Sequence, residues 1–151
     1  MKILNGSRYH YNALIAGAGK DLPQLLQKIE HLPFISYVGE VTDMVNFYKQ
    51  IDCLVMPSHY EPMGLVQIEA QAIGVPVIAS NLESLTETLT HNHNAILIPV
   101  QCPSAIAQAV IECTENSALR NKLVENGKIN GRQYSYHTWN DKITSLHKIV
   151  L

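Results

Sequence analysis

Tryptophan, phenylalanine and cysteine are scarce: one Trp, two Phe and three Cys stand in 151 residues. Cys53, Cys102 and Cys113 form no CxxC pair, and an odd count argues against a disulfide framework and for free thiols in a reducing, cytoplasmic setting. A positive excess is also lacking. Eleven Lys and Arg against thirteen Asp and Glu leave a formal net charge of −2, without the basic surplus that phosphate-backbone contact draws on, so nucleic acid is not an expected partner. Apolar runs such as residues 13–18 and 75–79 fall far short of the roughly 20 residues of a spanning helix. The opening MKILNGSRYHYN has no apolar signal core. Membrane association is therefore expected only peripherally, through segments outside this chain.

What is present is a core. Hydrophobic residues make up 46% and charged residues 16%, a balance that excludes disorder and suits one domain spanning residues 1–151. Short apolar runs at 13–16, 34–38, 52–56, 76–79 and 95–98 are each followed by Gly, Pro or Ser, as buried parallel strands should be. Helical patterns lie between them at 21–31, 43–50, 64–73 and 84–90, and three more follow at 103–113, 117–130 and 137–150. Asp21 ahead of Pro23, and Thr42-Asp43 ahead of Met44, supply capping oxygens or first-turn negative charge. Alternation of this kind predicts an α/β fold, a Rossmann-like parallel sheet with helices on both faces.

The run Pro57-Ser58-His59-Tyr60-Glu61-Pro62-Met63-Gly64-Leu65-Val66-Gln67-Ile68-Glu69-Ala70 leaves a predicted strand and opens a predicted helix, the place where doubly wound folds bind ligands. Backbone N–H groups at Met63, Gly64 and Leu65 are expected to be free at the helix mouth and to favour an anion such as a diphosphate. Gly64 allows close approach because no Cβ intervenes. Gln67 and Gln71 share a face at i and i+4 and are expected to be the wet one. Glu69 then falls on the opposite side with Leu65, Ile68 and Ala72, so the pattern predicts a carboxylate facing inward that needs a donor, a cation or ligand hydroxyls. It lies about 7 Å along the helix from Gly64 at 1.5 Å per residue, the offset between a nucleotide's diphosphate and its ribose. Glu61 is expected in the same crevice. The competing readings are a structural salt bridge for Glu69 and a solvated or helix-dipole charge for Glu61.

This segment, with the Glu-Ala-x-Ala-x-Gly-x-Pro-Val-Ile-Ala-Ser run at positions 69–80, resembles the donor-site signature of the group 1 (GT4) retaining glycosyltransferases of GT-B fold. The strand and glycine turn ending Gly17-Ala18-Gly19, the strand end Tyr37 to Val41, the strand Asn94 to Ile98 and the aromatic spot at Tyr136 to Trp139 resemble the family too. The resemblance implies a C-terminal, nucleotide-sugar-binding domain that transfers a hexose with retention and without a bound metal, the donor being substrate rather than cofactor. Glu61 would be the catalytic-site acid touching the donor sugar's hydroxyls. Met63, Gly64 and Leu65 would meet the diphosphate, Glu69 the ribose, and the main chain at Val41 the base, with Gly17 also at the donor. It further implies an N-terminal acceptor-binding domain or subunit as partner. Set against the family, the first βα unit, with its Arg and Lys on the diphosphate, precedes this chain, so the sheet is expected to be gapped, rearranged or completed by a neighbour. The alternative is a binding module without chemistry.

Other features read plainly. Gly17-Ala18-Gly19-Lys20 lacks phosphate-loop spacing and is expected to be a strand-to-helix turn. His91 and His93 lack metal-pair spacing, His59 is expected to be a loop residue, and Cys53 a small core residue. Trp139, Ile143, Leu146, Ile149 and Val150 form an apolar stripe on the last predicted helix.

Overall fold

The computed structural model describes residues 10–135, 137 and 138. Tyr136, Trp139 and the apolar stripe beyond lie outside them. The chain divides into two compact units, Met1–Phe47 and Tyr48–Leu151.

In the first unit, β1 (Ala13–Ala16) pairs in parallel with β2 (Ile35–Gly39), connected through α1 (Leu22–Ile29). Pro23 occupies the start of α1, where a missing N–H costs nothing, but Asp21 makes no side-chain capping bond. Asp43 does cap: its Oδ1 accepts from the backbone N–H of Asn46 at 3.0 Å, opening the short α2 (Met44–Tyr48).

The core sits in the second unit. Here β3 (Leu54–Met56), β4 (Val77–Ser80) and β5 (Ile96–Ile98) form a parallel sheet in the order β3-β4-β5. All four residues of β4 are buried, because a central parallel strand is covered on both faces and needs an unbroken run of small and β-branched residues. Its register sets Val77 beside Leu54 and Ile78 beside Ile96. The helices α3 (Leu65–Ile73), α4 (Glu83–Thr86), α5 (Pro103–Glu115) and α6 (Ser117–Gln133) complete the unit. Asn116 ends α5 and caps α6, its side-chain oxygen accepting from Leu119 N–H at 3.0 Å.

The described strands fall where the apolar runs predict them, within one or two residues. The described chain thus has the expected α/β class, with its five strands in two separate hydrogen-bonded parallel sheets. Among the described residues no helix is long and apolar enough to cross a membrane.

Candidate functional site

The turn from β3 into α3 is shaped by Gly64, which caps the helix at φ +71°, a left-handed conformation that costs a residue with a Cβ about 1–2 kcal/mol. Its buried position leaves no room either: an added Cβ would stand 2.8 Å from Gln67 Cδ and 3.0 Å from Leu85 Cδ2.

Glu61 is half-buried, and its Oε1 accepts the Gly64 N–H at 2.9 Å. One of the three donors expected to be free is therefore taken, because a carboxylate three residues upstream can fold back onto the first orphan N–H of the helix. The N–H groups of Leu65 and Val66 meet no acceptor among the described residues, nor does that of Met63. The Ser84 hydroxyl donates to the Glu61 carbonyl oxygen and ties the acidic turn to the start of α4. Around this mouth stand exposed apolar side chains, Tyr60 at 82%, Leu65 at 60% and Met63 at 47% exposure.

The faces of α3 differ from the sequence expectation. Gln67 and Gln71 are buried and Glu69, Leu65 and Ala72 are exposed, whereas Ile68 is buried as expected. The angular relation between the two glutamines and Glu69 holds, but packing inverts which side is dry. Helix α6 lies against α3, and Gly127 brings its backbone to the Gln71 side chain, a hypothetical Cβ lying 3.2 Å from Gln71 Cγ. The Gln71 amide is satisfied by distant partners: its Nε2 donates to Asn94 O at 2.8 Å, and its Oε1 accepts from Asn130 Nδ2 at 2.7 Å. Gln67 Nε2 donates to Thr88 Oγ1 at 2.7 Å, while Gln67 Oε1 has no partner among the described residues. Sequence reasoning missed Thr88, Asn94 and Asn130; the Gly127-x-x-x-Gly131 spacing on α6 was the available signal of a close helix contact.

Exposure does not leave Glu69 loose. Its Oε2 accepts from the Tyr48 hydroxyl at 3.0 Å, and the same hydroxyl stands 3.1 Å from Val66 O. Tyr48 is wholly buried. Burial, and then the adjoining Glu69 carboxylate, push the phenol well above its ordinary range, so it remains a donor.

The remaining candidates separate. Gly17 lies in the first unit, where it lines an open cavity of about 480 Å³ with Lys20, Asp21, Leu25 and Tyr37. The Tyr37 hydroxyl donates to Gly17 O at 2.8 Å, and Gly17 to Lys20 form a plain turn into α1. Val41 is half-buried in the loop after β2, also in the first unit. His91 Nδ1 accepts from Leu97 N–H at 3.0 Å, and His93 O from Asn126 Nδ2 at 3.0 Å, so both histidines brace loops. His59 is an exposed loop residue. Cys53 stands just before β3, half-buried, rather than inside the strand.

The family model described as glycosyl transferases group 1 matches residues 1–130. The chain belongs to that family. An uncharacterised glycosyltransferase of Methanocaldococcus jannaschii is 30% identical, over 95% of this chain and 38% of its own length. The glycosyltransferase chain described here thus spans well under half of that curated relative. Among solved structures, the C-terminal domain of a group 1 glycosyl transferase from Francisella tularensis matches with a TM-score of 0.66 at 19% identity, over 82% of this chain and 85% of that one. The Anabaena protein HepE, solved in complex with UDP-glucose, matches with a TM-score of 0.79 at 21% identity, over 91% and 40%. The fold is that of a GT-B glycosyltransferase C-terminal domain.

Proposed function

We propose that this chain is the donor-binding part of a retaining glycosyltransferase, holding a nucleotide-diphospho-hexose whose sugar passes to an acceptor carried by an N-terminal domain or subunit. The observation that carries this reading is the placement of two carboxylates along α3, one at its N-terminal mouth and one further along its exposed face.

Each is half-engaged. Glu61 spends Oε1 on Gly64 N–H, and Glu69 spends one lone pair of Oε2 on Tyr48, which leaves Glu61 Oε2 and Glu69 Oε1 to accept from ligand hydroxyls. In this reading Glu61 contacts the sugar and Glu69 the ribose diol. The unpaired N–H groups of Met63, Leu65 and Val66 face the diphosphate, whose charge grows as the glycosidic bond breaks. Donors set in place before the reaction stabilise that charge most. Glu69 is exposed, so ligand hydroxyls are not needed to rescue a buried carboxylate. An exposed, tethered carboxylate serves the same contact without a desolvation cost in the free protein. HepE's capture of UDP-glucose on the same fold supports a nucleotide-sugar donor, and the family resemblance supports retention.

Titration calorimetry of the full chain with UDP, GDP and ADP tests the reading. One of the three is expected to bind, and Glu69→Ala to weaken it by about 10- to 100-fold, as loss of a charge-assisted pair of hydrogen bonds does. Failure of all three to bind, or indifference to Glu69→Ala, overturns it. A sugar-transfer assay with the acceptor-binding half supplied, comparing Glu61→Ala, separates a catalytic donor site from a binding module.

A further inference from the structure

Tyr48 has a choice of acceptors. Its hydroxyl has a single proton and lies within reach of both Val66 O and Glu69 Oε2, at 3.1 and 3.0 Å. A buried phenol needs one partner, and the backbone carbonyl alone would satisfy it. Glu69, being exposed, could be hydrated by water instead. Neither group therefore requires the other for burial. What the contact does accomplish is to fix a flexible side chain: an unrestrained surface glutamate samples many rotamers, whereas this carboxylate is held from a different helix, 21 residues upstream.

The held geometry suits a diol. With Tyr48 occupying one lone pair of Oε2, a second lone pair on that atom and both on Oε1 stay open. Two adjacent hydroxyls can donate to them side by side.

We propose that Tyr48 is a positioning residue that pre-orients the Glu69 carboxylate for the vicinal hydroxyls of the donor's ribose, a proposal that rests on the donor-site reading of Glu69. It never touches the ligand. Its effect is felt only through Glu69 and only by ligands that carry the hydroxyls.

The test is a double-mutant cycle on the full chain, read by calorimetry with whichever of UDP, GDP or ADP binds and with its 2′,3′-dideoxy counterpart. Tyr48→Phe is expected to weaken the ribonucleotide by about two- to tenfold, the cost of ordering on binding a side chain that Tyr48 otherwise holds beforehand, to leave the dideoxynucleotide unchanged, and to have no further effect in a Glu69→Ala background. Thermal melting establishes that Tyr48→Phe is folded. Should it not be, Tyr48→3-fluorotyrosine keeps the ring and hydroxyl and changes only donor strength, and is expected to alter ribonucleotide affinity alone. Unchanged ribonucleotide affinity, or equal losses for both nucleotides, overturns the proposal while leaving the donor site standing. Insensitivity to Glu69→Ala removes the donor-site reading, and the proposal with it.

Discussion

Gly131 on α6 lies so close to Ala72 on α3 that a Cβ added to it would stand 2.7 Å from Ala72 N and 2.8 Å from Ala72 Cα. The obstruction is backbone, which does not swing aside. Gly131→Ala is therefore expected to destabilise the fold by up to about 2 kcal/mol, overpacking of about 1–3 kcal/mol set against a helix-propensity gain of about 1 kcal/mol. At Gly127 the nearest atom is Gln71 Cγ at 3.2 Å, a side-chain carbon that yields by a few tenths of an ångström, so Gly127→Ala should fall within about 0.5 kcal/mol of the parent. Chemical denaturation of the two variants side by side checks the contrast; equal effects would show that the helix contact is looser than its geometry.

Gly64→Ala combines a left-handed backbone with a collision on Gln67 and Leu85. A loss of about 2–5 kcal/mol is expected from the two costs together. Because relief of the strain moves the Gly64 N–H away from Glu61, nucleotide binding should weaken more than in any variant of equal stability loss elsewhere in α3. Melting and titration of the same preparation distinguish the two effects.

The three thiols should differ in reactivity. Burial, then Cys113 and Asp52, push the Cys53 thiol up to about 12, and burial raises that of Cys113. The Ser104 hydroxyl and the Ala105 backbone lower that of Cys102 at the start of α5. Since the thiolate is the nucleophile, iodoacetamide at neutral pH is expected to label Cys102 first, as peptide mass spectrometry will read. The same shift gives a pH dependence. Between the ordinary thiol value of 9.0 and about 12, the folded Cys53 keeps a proton that the unfolded chain has released, so stability falls as pH rises through that window and is unaffected below it. Cys53→Ala should flatten the decline.

Parts of the molecule were legible from local pattern alone. Strands β1 to β5 announce themselves as short apolar runs closed by breakers, and the turn around Gly64 as Pro and Gly before a helical period. These depend on neighbours within a few residues, which a linear reading contains. Asp43 was likewise readable as a cap, whereas Asp21, with the same residue type and setting, makes no capping bond. Asp21 stands at φ −92°, ψ 4°, away from the extended backbone of an N-cap, and residue type does not specify that angle.

The chain's order of elements, its family and the positions of Glu61 ahead of α3 and Glu69 on it were determined by the sequence itself, through periodicity and a dense local motif. Which face of α3 is dry was decided only in three dimensions. That helix is covered by the sheet and by α6, and its glutamine face became the interior where Asn94, Thr88 and Asn130, from 21 to 59 residues away, bond the Gln71 amide and the Gln67 nitrogen. Glu69 was thereby turned outward, where the hydroxyl of Tyr48 holds it. Polarity along one helix registers what each residue prefers when alone in water; a buried amide with its partners in place is no longer in that situation, and only the assembled fold supplies the partners.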